Sequence, residues 1–172
     1  STETADYYRP NLFVNTPDIL TEYLQFGGPA AFTIRAALAA TAGPLWGVYS
    51  GFELFENVAR PGAEENIDNE KFEYKPRDYA AAEEAGASLG LFIGTLNRVS
   101  DTVIVVANVD PHSVRETVVH LDSTAFGVPH DTPFRVRDVV TDTVWEWGEH
   151  NYVRLDAFTT PVHILEILED RP

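Results

Sequence analysis

A chain of 172 residues with 44% apolar content and a formal charge of −15 has room for one ordinary domain or two small ones. Its acidity excludes nucleic acid and an anionic membrane surface as partners, because both demand a basic face, and leaves a phosphorylated substrate only a local Lys/Arg cluster to bind. No Cys is present, which fits a reducing compartment and equally a secreted protein without disulfides.

The chain carries no Met, even at position 1, the mark of a trimmed chain or a piece of a longer one. No apolar run is long enough to span a membrane, and no basic-then-apolar signal segment opens the sequence. The first element is Leu12-Phe13-Val14, which reads as the end of a strand covered on both faces and is closed by Asn15-Thr16-Pro17-Asp18. Pro17 lacks an N–H and biases Thr16 toward extended geometry, so Asp18 stands just past the strand end. Open sheets and barrels of the α/β class collect their chemistry there. The bland alternative makes Asp18 the cap of the following helix, with Glu22 near the place of a capping-box partner. The hexapeptide by itself favours the cap.

Pro29 to Ala42 predicts an Ala-rich helix with Phe32, Arg35, Ala36 and Ala39 at helical spacing, and its small residues imply close packing. Leu45 to Tyr49 predicts a short buried strand ended by Ser50-Gly51, giving the strand, helix, strand rhythm of a parallel sheet. Residues 56–78 have no sustained period and predict a long loop, ordered by the aromatic pair Phe72 and Tyr74 beside Lys71, Lys75 and Arg77. From Asp78, a plausible N-cap, to Asn97 the pattern predicts one helix with Leu89, Phe92, Ile93 and Leu96 on a face. Gly86, Gly90 and Gly94 form a stripe on it that weakens the helix by roughly 1 kcal/mol each.

After Ser100 the texture becomes all-β. Thr102–Val109 and Thr117–Leu121 predict a hairpin around Asp110-Pro111-His112, and further strands fall at 134–136, 144–147, 152–155 and 162–168. Short strands at that spacing predict a small antiparallel sandwich. A boundary near 97–101 divides the halves. Two strands and two helices cannot close a sheet alone, so the first half reads as part of a barrel, a fold that typically needs about 250 residues.

YYRPNLFVNTPDIL, the helix with IRAALAAT, WGVYSGFELFEN, the loop ending DNEKFEYKPRD, then VANVDPH, VRDVVTDTVWEWG and NYVRLD together resemble the bacterial α-1,4-glucan:maltose-1-phosphate maltosyltransferases, members of the α-amylase superfamily. The resemblance covers nearly the whole chain. It implies α/β plus all-β architecture: residues 1–98 as the C-terminal part of a (β/α)8 barrel, with its seventh and eighth strands, and residues 101–172 as an antiparallel β-sandwich domain. It implies Asp18 as the transition-state stabiliser, a carboxylate holding charge near an oxocarbenium-like centre, and Lys71 and Phe72 as ligands of the bound disaccharide. Phe72 is an aromatic without a hydroxyl, so any ring hydrogen bond is lost.

The implied activity is retaining maltosyl transfer from maltose 1-phosphate to α-1,4-glucan by a cytoplasmic homodimer, with no metal and no organic cofactor. The nucleophile and the general acid/base that such a reaction needs lie, in the family, on earlier barrel strands outside this chain. The family also has a further stretch where this chain runs from LNRVS directly into DTVIVV, and its Gly-Gly-Arg-Pro stands here as Gly27-Gly28-Pro29. Two rival readings are a non-catalytic glucan- or partner-binding module and a glucan hydrolase of the same superfamily.

Of the other residues, Glu64-Glu65 read as a solvated face. The five His, at 112, 120, 130, 150 and 163, lack mutual metal-ligand spacing and read as turn and surface residues. Trp145 and Trp147, alternating with Glu146, read as sandwich core ahead of a sugar platform. No Ser-His-Asp order, phosphate-binding glycine loop or zinc pattern is present.

Overall fold

In a computed structural model that describes residues 7–69, 74–99 and 102–168, the chain divides into two units, residues 1–97 and 98–172. The first unit begins with strand β1 (Asn11–Phe13), followed by helices α1 (Glu22–Phe26) and α2 (Gly28–Ala42) and strand β2 (Leu45–Gly47). β1 and β2 run parallel, with Leu12 opposite Trp46 and Phe13 opposite Gly47. The ring of Phe13 lies over Gly47, where a Cβ would fall 2.6 Å from it. The missing side chain of one strand thus seats the aromatic of the other.

Both strands are shorter and more open than the sequence predicts. Phe13 and Leu45 are about half exposed, because a two-stranded sheet leaves its flanks uncovered. The helix between them is the packed element: seven of the fifteen residues of α2 are buried, Phe32, Ile34 and five alanines. Phe32 is fully buried against Phe52 and Phe55, at ring centroid distances of 4.8 and 5.6 Å. Burial of a side chain of that size stabilises by roughly 1.5–3 kcal/mol.

Two expectations for this unit need correction. The N-cap position of α1 is Thr21, not Asp18, and Glu22 is already the first helical residue. Asp18 instead sits in a tight turn where Thr16 and Ile19 exchange backbone hydrogen bonds of 3.1 and 3.2 Å. The single helix expected over 78–97 is two: α3 (Tyr79–Glu84) and α4 (Gly90–Leu96). Gly86, at φ +67°, takes a left-handed conformation that ends α3, so the three glycines form no common stripe. Asp78 does cap α3, its carboxylate accepting from the Ala81 N–H at 2.9 Å.

The described strands of the second unit all pair antiparallel. Strands β3 (Val103–Ala107), β5 (Phe134–Asp138), β6 (Val144–Trp147) and β8 (Val162–Leu168) form a four-stranded sheet in the order β3-β8-β5-β6, while β4 (Val114–His120) pairs with β7 (His150–Asp156). Phe134, Val136, Trp147, Val153, Leu155 and Leu165 make the buried cluster between the sheets, with Ile104, Val106, Val119 and Trp145 packed against it. Both tryptophans therefore belong to the core. The expected hairpin of consecutive strands does not form, because the chain changes sheets at Asn108. The backbone N–H of that buried residue donates to Pro161 O (2.9 Å), and its side chain donates to Ser113 O (2.7 Å) and Leu155 O (3.4 Å).

Candidate functional site

The turn that carries Asp18 is held from three directions. The Val14 N–H still reaches Gly47 O at 3.0 Å, extending the parallel ladder one residue past β1. Arg35, half-buried on α2, donates from Nε to Val14 O at 2.9 Å, so the helix grips the strand where it stops. Asn66, 50 residues along the chain, donates its backbone N–H to Pro17 O (3.1 Å) and its Nδ2 to Thr16 O (2.8 Å). Leu20 N–H donates to Glu64 O (2.6 Å) and Glu22 N–H to Glu64 Oε1 (3.1 Å), which gives Glu64 a structural task as well as an exposed position. Pro17 suits such a turn because it asks for no donor partner. The result is an exposed carboxylate on a backbone fixed at both neighbouring carbonyls.

Asn15, 3% exposed, lies directly between the strand and this turn, and its Oδ1 has no hydrogen-bond partner among the described residues. Buried polar atoms are almost always satisfied, so an orphan acceptor one residue past the ladder singles out this strand end as unusual.

A second feature adjoins the turn through Asn66. Tyr49, Asn57, Asn66 and Ile67 line a cavity of about 170 Å³ closed by an ionic network. Arg77 forks onto Glu56, Nε to Oε1 at 2.8 Å and Nη2 to Oε2 at 2.9 Å, and Lys75 spans Glu56 (3.3 Å) and Asp68 (2.5 Å). The hydrogen bond from Arg77, joined by Lys75, holds the Glu56 carboxyl below its ordinary range against the opposing effect of burial. Its partners shift upward in turn, Arg77 through Glu56 and Lys75 first through Asp68. Bidentate guanidinium–carboxylate pairs are stronger and more directional than single contacts. This one ties Arg77 to the segment following β2. Gly51, at φ +103°, completes it, since a Cβ there would collide with the Glu56 carboxylate.

Of the residues singled out in the sequence, Asp18 stands at the strand end as expected, while Lys71 and Phe72 lie outside the described residues. The clamping residues Asn66, Glu56 and Arg77 and the orphan Asn15 were not foreseen. Nothing periodic marks a loop side chain that works across 50 residues; the only signal was the density of Asn and charge in an aperiodic stretch.

In the second unit the histidines do more than cover turns. His163 Nδ1 lies 2.8 Å from Oδ2 of Asp138, which is fully buried. His130 pairs with Glu149 at 2.6 Å, and His120 faces His150 across β4 and β7. Among the described residues no group of three or more His, Asp or Glu is arranged to hold a metal ion, and no helix is long and apolar enough to cross a membrane.

Comparison with known proteins places these features in context. Residues 89–167 match the family model described as GLGE, C-terminal. The α-1,4-glucan:maltose-1-phosphate maltosyltransferase of Corynebacterium glutamicum is 44% identical over 199 aligned positions, which take in 96% of this chain and 30% of that protein. The protein of the same name from Mycobacterium tuberculosis is 40% identical over 96% of this chain and 28% of its own length. This chain therefore spans under a third of these relatives. The 199 aligned positions also exceed its 172 residues, so the relative carries residues here that this chain lacks. Among solved structures, the α-amylase of Geobacillus thermoleovorans complexed with acarbose gives a TM-score of 0.53 at 14% identity, over 95% of this chain and 40% of its own. AmyP in complex with maltose gives 0.56 at 10% identity, over 98% and 43%. At those identities the likeness speaks for the fold.

Proposed function

We propose that this chain, which belongs to the family of the α-1,4-glucan:maltose-1-phosphate maltosyltransferases, forms the C-terminal part of an enzyme that moves maltosyl units from maltose 1-phosphate to the non-reducing end of an α-1,4-glucan with retention. The observation that carries the reading is 44% identity over 96% of the chain. In this reading β1 and β2 are the last two strands of a (β/α)8 barrel, and residues 101–172 are the sandwich domain that follows it. Active sites of that barrel lie at the carboxyl ends of its strands, the position Asp18 takes after β1. The enzyme is a cytosolic homodimer without metal or organic cofactor.

The reaction is a double displacement. A carboxylate nucleophile forms a glycosyl-enzyme ester while an acid protonates the departing phosphate oxygen, and the glucan hydroxyl, deprotonated by the same residue, then attacks the ester. Those two carboxyl groups belong to the part of the relatives that this chain does not span. Asp18 supplies the third: a fixed negative charge that accepts hydrogen bonds from substrate hydroxyls and steadies the oxocarbenium-like centre. Lys71 and Phe72 bind the disaccharide. Asn66 and Arg35 serve Asp18 as positioning residues, because they fix the carbonyls of Thr16 and Val14 between the strand end and Asp18.

The test is Asp18→Asn in the complete enzyme carrying this chain, with phosphate release and maltosyl acceptance measured together. Loss of one transition-state contact of this kind lowers kcat by about 10²–10³-fold, with sugar binding far less affected. An unchanged rate removes Asp18 from the chemistry. Maltose released into water in place of elongated glucan would make the enzyme a hydrolase.

A further inference from the structure

We propose that His120 and His150 form a binding site for a divalent transition-metal ion of the nickel or copper kind, held by the two imidazoles with water completing its coordination. The two residues stand directly opposite each other in the β4–β7 register. Their Nδ1 atoms are 2.9 Å apart, and their rings meet at a centroid distance of 4.8 Å with an interplanar angle of 68°. Both side chains are on the exposed face of a two-stranded sheet, so the ion enters without unfolding anything.

The spacing selects the ion. Imidazole nitrogens bind such metals at about 2.0–2.1 Å, and two nitrogens at that bond length and 2.9 Å apart subtend an angle of about 90° at the ion. That is the cis angle of square-planar or octahedral coordination, suited to Cu²⁺ and Ni²⁺. A tetrahedral Zn²⁺ site would hold its nitrogens roughly 3.3 Å apart. Imidazole is a favoured ligand for all these ions, and the affinity order of divalent metals also puts nickel and copper ahead of most competitors.

The surroundings favour a cation. Glu149 directly precedes His150, and the chain carries −15 overall. Among the described residues no group of three or more His, Asp or Glu is arranged to hold a metal ion, so His130 is not a third ligand. Without metal the two imidazoles hydrogen-bond to each other; with it, the ion replaces the shared proton. The site stands apart from the maltosyltransferase reading and does not depend on it.

The test is Ni²⁺ titration of the full-length protein carrying this chain, followed by calorimetry and by melting temperature, beside the variants His120→Gln, His150→Gln and His130→Gln. Changes around a bound metal cost 10–100-fold in affinity, and deleting a ligand should cost at least about tenfold. Wild type and His130→Gln should therefore bind one more equivalent of Ni²⁺ than either of the other variants, and Ni²⁺ should raise their melting temperature alone. Cu²⁺ bound to wild type should give an electron paramagnetic resonance signal split by two imidazole nitrogens. Identical stoichiometry and affinity in wild type and His120→Gln would overturn the proposal, as would a loss confined to His130→Gln, or Zn²⁺ binding more tightly than Ni²⁺.

Discussion

Replacing Asp138 by Asn would test how the second unit is held together. Asp138 is fully buried at the end of β5. Its Oδ1 accepts from the Val140 N–H (3.0 Å) and at longer range from Ile164 N–H (3.4 Å), and its Oδ2 accepts from Thr141 Oγ1 (3.0 Å) and faces His163 Nδ1 (2.8 Å). Asn keeps one acceptor oxygen but replaces the other by an NH2 group, so the Thr141 hydroxyl must turn and the imidazole must present an unprotonated Nδ1 to pair with it. Two charge-assisted bonds are lost. Each such loss costs about 1.5–3 kcal/mol, and partial rearrangement of Thr141 and His163 brings the expected total to about 3 kcal/mol. For a chain of this size that is a fall of roughly 6–12 °C in melting temperature.

The pH dependence carries its own sign. Burial pushes the Asp138 carboxyl up, but the hydrogen bonds from His163, the Val140 N–H and Thr141 outweigh it and hold the group below its ordinary range. A carboxyl depressed in the folded state stabilises fully above its unfolded value of roughly 4, and that contribution is lost as pH falls through the folded value. The gap between wild type and Asp138→Asn should therefore persist from pH 5 to 8 and narrow only in acid. Trp145, whose ring lies 5.1 Å from that of His163, makes tryptophan fluorescence during guanidinium unfolding a suitable assay. A loss under 1 kcal/mol, or a gap that closes above pH 5, would refute the account.

Asn66→Ala should destabilise the first unit by about 0.5–1.5 kcal/mol, because the half-buried Thr16 carbonyl loses one of its two donors and keeps only the Ile19 N–H, and in the complete enzyme it should lower kcat more than it raises KM; a purely thermal effect with kinetics intact would deny it a positioning role. Gly51→Ala forces a left-handed backbone onto an L side chain, at a cost of about 1–3 kcal/mol, and pushes against Glu56, so proteolysis within 57–69 should accelerate; an unchanged digestion pattern would contradict the clamp. Trp147→Ala empties a core position and should cost about 3–5 kcal/mol in guanidinium unfolding, whereas a platform tryptophan on the surface would cost little.

Strand positions in the second unit were legible because alternation survives burial. Phe134, Val136 and Asp138 face inward with Arg135 and Arg137 outward, and Asn151, Val153 and Leu155 repeat the pattern in β7. Pairing was not legible. Nearness in sequence pointed to a hairpin between β3 and β4, and the deciding residue was a single buried Asn whose bonds reach residues 47 and 53 positions away. Period likewise suggested one helix over 78–97, since a helical stripe continues through Gly86 whether or not its backbone turns left-handed. Asp18 was legible as a strand-end carboxylate because Pro17 announces the break; its anchors in Asn66 and Arg35 were not, because side chains that bond to backbone leave no pattern.

The strand order β3-β8-β5-β6 sets a constraint in time. β8, which leaves the ribosome after the other three, occupies an interior place, flanked by β3 through Val103 opposite Glu166 and by β5 through Asp138 opposite Leu165. Until it is made, β3 has no partner and β5 has only β6. The edge of β3 thus stays open while residues 108–161 are synthesised and that of β5 while residues 139–161 are, at about 5–20 residues per second. Unpaired edges of this kind recruit other chains. A premature stop before β8 would therefore leave the halves of the sheet unjoined, a species prone to pair with copies of itself.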